Sequence, residues 1–200
     1  MSGGRRSAGA GASAQLQYRR TGGLLAPTFA LFVKAATFNY DSSLRDGEVY
    51  QGGASVQKGI TDRITVTGVA AGITRDSDSR VFDTRELSLL LNMDYRAFRF
   101  LTPYLTYNYL DGDIVASGAP WLKIINYAEE IQADDALGGA AANVFAYRLN
   151  ARTHVATLGF NFALNDRHSV DISQRIARSH ADGDIKYDRS IFALAYLLRF

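Results

Sequence analysis

The chain has 200 residues, a size that suits one domain, and its 22 Lys and Arg against 20 Asp and Glu leave a net charge of +2, which argues against a polyanion binder with a basic stripe. It has no cysteine, so disulfides, thiolate metal sites and Cys nucleophiles are excluded. No stretch approaches the ~18 continuous apolar residues of a membrane-spanning helix, whereas a membrane β-barrel, whose strands alternate, stays open.

Residues 1–26 are rich in Gly, Ser, Ala and Arg, with an Arg pair at Arg5 and Arg6 and an Ala-Ser-Ala-Gln stretch resembling a signal-peptidase site, but no apolar region between the two. They read as a flexible N-terminal tail without a fold. From Pro27 onward short segments with period-two patterning alternate with turn chemistry.

The spacing predicts strands over residues 27–40, 48–58, 63–74, 85–95, 101–110, 150–163, 168–178 and 186–200. Residues 85–95 are the clearest: Leu87, Leu89, Leu91, Met93 and Tyr95 share one face, and Glu86, Ser88, Leu90, Asn92 and Asp94 the other. A helix would put these charges all round, while a strand separates them. Residues 101–110 sort in the same way, with Pro103, Leu105, Tyr107 and Tyr109 opposite Thr102, Tyr104, Thr106 and Asn108. So do residues 153–163 and 169–177, where Gln174 interrupts an otherwise apolar face. Residues 68–72, GVAAG, suggest a face-switching bulge.

The connections alternate in character. Tight turns at 59–63, 96–100 and 164–167 contrast with longer polar links at 41–47, 75–83, 111–149 and 179–184. Short-long alternation is the asymmetry of an outer-membrane barrel, with tight periplasmic turns and larger external loops. In the long link, residues 120–131 read either as a short amphipathic helix or as a strand pairing with 142–149, which would raise the count from eight strands to ten.

The chain ends with Phe192, Leu194, Tyr196, Leu198 and Phe200 at every second position. This pattern resembles the C-terminal assembly signal of bacterial outer-membrane β-barrel proteins, and residues 27–200 are similar to the small eight-stranded OmpA/OmpW-like class. The resemblance implies an all-β transmembrane antiparallel up-and-down barrel of eight strands, with ten as the alternative, in the bacterial outer membrane. Its implied partners are outer-membrane lipid, lipopolysaccharide and the barrel-assembly machinery.

An eight-stranded interior is narrow enough for side chains to fill. The face opposite the apolar one carries Lys34, Glu86, Asp94, Arg96, Asp171, Arg175 and Arg199, and buried charges need partners, so an ion-pair network across the lumen is expected. The expected role is structural or surface interaction, with no enzyme activity, cofactor, metal site or nucleic-acid partner. A protein partner would dock on the external loop at about 112–149 through Trp121, Leu122, Ile125 and Tyr127. The alternative role is a narrow pore for ions or small solutes. A third reading, a lipid A hydrolase, follows from the resemblance, because some eight-stranded barrels modify lipid A; its candidate residues are Ser179, His180 and Asp182. Their order departs from the His-x-Ser-Asn arrangement of the barrel deacylase.

Overall fold

A computed structural model describes residues 8–21, 23, 25–40, 43–119 and 122–198. The chain forms β1 (Ala8–Arg19), β2 (Thr28–Asn39), β3 (Gly47–Gly59), β4 (Ile64–Ser77), β5 (Thr84–Tyr95), β6 (Leu101–Gly118), a one-turn helix α1 (Leu122–Tyr127), β7 (Glu130–Ala133), β8 (Phe145–Ala163), β9 (His168–Ala181) and β10 (Ile185–Leu198). All ten strands belong to one antiparallel sheet of order β1-β2-β3-β4-β5-β6-β8-β9-β10, with β7 paired only to β8. The sheet is not closed: β1 and β10 are its two edges.

Each of the eight expected strands is present, within a few residues at most ends. Three expectations need correction. The stretch taken as an unstructured tail contains β1, whose whole length pairs with β2 from Ala8↔Asn39 to Arg19↔Thr28. The long link is shorter than expected, because β6 and β8 continue as a paired ladder to Gly118↔Phe145. Between them both readings of residues 120–131 are realised in part, α1 as the helix and β7 as the extra strand. The bulge suggested at 68–72 is absent. The β3–β4 ladder runs without a break from Gly47↔Ser77 to Gly59↔Thr65, and Gly68, Ala70 and Gly72 are small residues at ordinary positions of one face.

The tight turns gather at one end of the sheet. At 60–64, Ile60 N–H donates to Ile64 C=O at 2.8 Å, and Thr61 Oγ1 accepts from Arg63 N–H and Ile64 N–H at 3.2 and 3.0 Å. At 164–168, Asn165 Oδ1 accepts from Arg167 N–H and His168 N–H at 2.9 and 3.0 Å. These hydroxyl and amide side chains mimic backbone acceptors, which fixes short reversals.

From β2 to β9 one face of the sheet is more shielded than the other, whereas the edge strands β1 and β10 are exposed along nearly their whole length, and polarity follows this division in the reverse of a soluble protein. Along β5, exposure alternates without a break. Leu87, Leu89, Leu91 and Met93 are exposed, as are Leu31, Val33, Leu105, Leu158, Phe192 and Leu194 on other strands. A flat single layer would expose both faces alike, so the systematic shielding of Ser88, Asn92, Thr106 and Asp171 means that the sheet curls toward its polar face.

Cross-strand rings lie close over two glycines of the sheet, Phe32 over Gly53 and Tyr104 over Gly159. Gly159 pairs with Tyr104, and a Cβ on Gly159 would lie 2.2 Å from the Tyr104 ring, which crosses over the glycine to donate from its hydroxyl to Asp171 Oδ1 at 3.0 Å. Gly159→Val should therefore destabilise the fold by about 1–3 kcal/mol through overpacking. The added substitution Tyr104→Ala should recover part of the loss in equilibrium unfolding.

Candidate functional site

Of the expected lumen residues, Glu86, Asp94 and Asp171 are half-buried on the shielded face, whereas Lys34, Arg96 and Arg175 are exposed, and the expected ion-pair network does not form among the described residues. Asp94 accepts from Asn92 Nδ2 at 2.6 Å, Asn92 Oδ1 accepts from Thr106 Oγ1 at 2.6 Å, and Ser88 donates to Asn108 Oδ1 at 3.1 Å. The face is thus stitched by amides and hydroxyls, with Asp171 held by Tyr104. Among the described residues no ion pair involves Lys34, Glu86, Asp94, Arg96, Asp171 or Arg175. The physical reason is spacing: pairing places Lys34 beside Ser13 and Gln51, and Arg175 beside Thr157 and Ile191, with no carboxylate opposite. Arg96 belongs to a tight turn, where its N–H donates to Arg63 C=O at 2.8 Å. Arg199 lies outside the described residues.

The residues weighed for hydrolysis do not assemble. Ser179 is buried on the shielded face, accepting from Thr153 Oγ1 at 2.9 Å. His180 is exposed and pairs with Arg152 and Lys186, because successive strand residues point to opposite faces. Asp182 opens the turn beyond them. The alternating terminal residues Phe192, Leu194, Tyr196 and Leu198 line the exposed face of β10, and Phe200 lies outside the described residues.

The most fully buried side chains gather at the loop end. Val81, Phe82 and Ala146 are buried together, with Leu44 and Val115 packed against them. Here the links β2–β3, β4–β5 and β6–β8 meet. The Arg45 guanidinium lies 4.5 Å above the Phe82 ring and reaches Asp134 at 2.7 Å. Asp134 is fully buried and also accepts from Ser117 Oγ at 2.5 Å. Arg148 Nη1 donates to Arg80 C=O and Asp83 C=O, both at 2.8 Å, while its Nε donates to Glu129 at 3.2 Å. Ser79 donates to Gln132. Three loops far apart in sequence are locked into one cap.

The acidic loop residues mostly cap strand ends. Asp83 accepts from Ser77 N–H at 2.6 Å, Asp113 from Arg85 N–H at 2.8 Å, and Asp46 from Tyr40 N–H at 2.5 Å. Beside the cap, Arg75, Arg85 and Arg148 with Asp76, Asp83, Asp113 and Glu129 line a polar recess of about 310 Å³. Among the described residues, no group of three His, Asp or Glu has a metal-binding arrangement.

The loop-contact expectation lands partly on this cap. Ile125 and Tyr127 are exposed on α1, and the Tyr127 ring covers Gly183, whose φ of +73° suits a residue without Cβ. Lys123 Nζ donates to Asp184 C=O at 3.4 Å, so α1 is tied to the β9–β10 turn. A hydrogen bond from Lys186, its charge and those of Lys123 and His180 hold the Asp184 carboxyl below its ordinary value. Leu122 begins α1, and Trp121 lies outside the described residues.

Sequence reading missed Arg45, Asp134 and Arg148. The apolar pair Val81-Phe82 inside the polar link 75–83 was the available signal, since solvated links seldom carry adjacent large apolar residues. Comparison with known proteins finds no matching family model, curated protein or solved structure.

Burial raises the Asp134 carboxyl, but the Ser117 hydroxyl and the Arg45 guanidinium outweigh it and hold the group below its ordinary value. A depressed folded value means that the pair stabilises fully above the unfolded aspartate range and loses that contribution as pH falls through the folded value. Protection of the amides of 79–83 and 130–137, measured against their intrinsic exchange at each pH, should therefore fall below about pH 4. Arg45→Met should loosen the cap at neutral pH by on the order of 3 kcal/mol, because it strands a buried carboxylate. The paired variant Arg45→Met with Asp134→Asn should recover most of that loss.

Proposed function

We propose that this chain is an integral barrel protein of a bacterial outer membrane, with a structural or surface-interaction role and its loop cap as the contact site at the cell exterior. The reading rests on one observation: large apolar side chains are exposed around one face, from Leu16 on β1 through Leu31, Leu91, Leu105 and Leu158 to Leu194 on β10. In water such a belt would be a large aggregation liability. In hydrocarbon it matches the solvent, and the long strands, of 12–19 residues, exceed the ~9–11 needed to cross. The tight turns then face the periplasm and the cap faces outward.

Aromatic residues fit the interfaces of that belt. Tyr107 and Tyr109 flank His154 toward the loop end, with ring centroids 6.1 and 5.2 Å from the imidazole. Tyr95 and Tyr196 stand toward the turn end. Tyrosine favours such positions because one end is apolar and the other wet. Gln174, a polar residue on the belt, donates to Ser190 and so hides part of its amide.

A narrow path for ions or small solutes is the second reading. It is favoured by Glu86 and Arg175, which stand on the polar face without an ion-pair partner among the described residues.

The protein should require detergent to stay monodisperse and should show heat-dependent gel mobility; a monodisperse protein in plain buffer overturns the proposal. Leu91→Arg should destabilise the detergent-folded state by about 2–4 kcal/mol if its site lies near mid-depth, whereas Thr67→Ser on the opposite face should cost much less. Steady single-channel conductance in planar bilayers would favour the pore. Replacing residues 122–143 by a short turn should leave the strands folded and remove binding to the exterior partner.

A further inference from the structure

We infer that β1 occupies the seat at β2 that β10 takes when the sheet closes, so that the closed form is an eight-stranded cylinder of β2–β6 and β8–β10, with β1 a displaceable strand. This rests on the membrane reading above, since hydrocarbon is what forces every edge group to find a partner.

The inference follows from strand direction. β7 has 4 residues and pairs only with β8, which leaves nine long strands in the path of the sheet. They alternate in direction, so β1 and β10, first and last of an odd set, both run from the loop end to the turn end. Joining them would make a parallel pair in a sheet that is antiparallel at each of its other junctions. A second copy in the same membrane orientation offers edges of the same direction and gives no antiparallel partner either. β2 runs the opposite way to β10, so their pairing is antiparallel once β1 leaves.

The side chains agree. β2 presents Leu31 and Val33 on the exposed face, and β10 presents Phe192, Leu194 and Tyr196 on the same face, so pairing them continues the apolar belt. β1 instead sets Ala12 and Ala14 against Ala35 and Val33. Like β10, β1 is exposed along nearly its whole length, but its residues 8–12 are all Ala or Gly, which contribute little to cross-strand packing. Among the described residues, its one side-chain hydrogen bond within the sheet comes from Thr37 Oγ1 to Ala10 C=O at 3.4 Å.

The full chain has no cysteine, so introduced pairs report without background. Val33→Cys would be combined in turn with Phe192→Cys, Leu194→Cys and Tyr196→Cys, and Ala14→Cys with the same three, in the detergent-folded protein. Short-linker cross-linking within one chain would be read by mass. At least one Val33 pair should join and none of the Ala14 pairs. Adding Ala12→Pro, which weakens β1 without touching β2 or β10, should maintain or raise the yield. Heat-dependent mobility together with Ala14 joined to β10, or with no β10 cross-link at all, overturns the seam while leaving the barrel reading intact. Loss of both heat-dependent mobility and all β10 cross-links overturns the two together.

Discussion

Backbone pairing is the constraint from which the rest follows. A single-layer sheet has no second layer to bury its side chains, so its strands are held by ladder hydrogen bonds and by whatever wets the exposed face. The long strands satisfy one another in order around the sheet, with registers that run unbroken over 9–18 residue pairs. Among the described residues, β1 and β10 each have one long edge without a neighbouring strand, and the short β7 has another. A medium without hydrogen-bonding capacity would act on those edges first.

Alternation translates that constraint into chemistry. Leu87, Leu89, Leu91 and Met93 lie on the exposed side of β5 while Ser88, Asn92 and Asp94 lie on the shielded side. A one-residue slip would exchange the two sets, so the pattern also specifies register. On the polar side, short hydroxyl and amide links such as Thr106–Asn92 and Ser88–Asn108 satisfy groups without requiring paired ions. The ion pairs instead lie at the loop end, where Arg45–Asp134 and Arg148–Glu129 tie distant links together.

Much of this was legible in the sequence because a period of two survives wherever one face differs in polarity from the other. β5 could be read directly. β1 could not be read so easily, although its alternate positions Ala8, Ala10, Ala12, Ala14, Leu16 and Tyr18 are apolar, because Ala and Gly differ too little to separate a strand from a flexible tail. The cap was hidden for another reason. Arg45, Ser117 and Asp134 are scattered over the chain, and only the folded links bring them together. Ser179 and His180, candidates only through the resemblance, are neighbours on one strand and so point to opposite faces.

The cap around Val81 and Phe82 has a thermodynamic consequence. It is the part of the molecule whose apolar side chains are withdrawn from water in the ordinary way. On the membrane reading, the belt residues remain among alkyl chains whether the strands are paired or not. Calorimetric unfolding in micelles would then carry a heat-capacity increment set mainly by this small cluster, far below that of a water-soluble domain of equal length. Cooling or warming would tilt the balance of the cap while leaving the energetics of the wall almost flat.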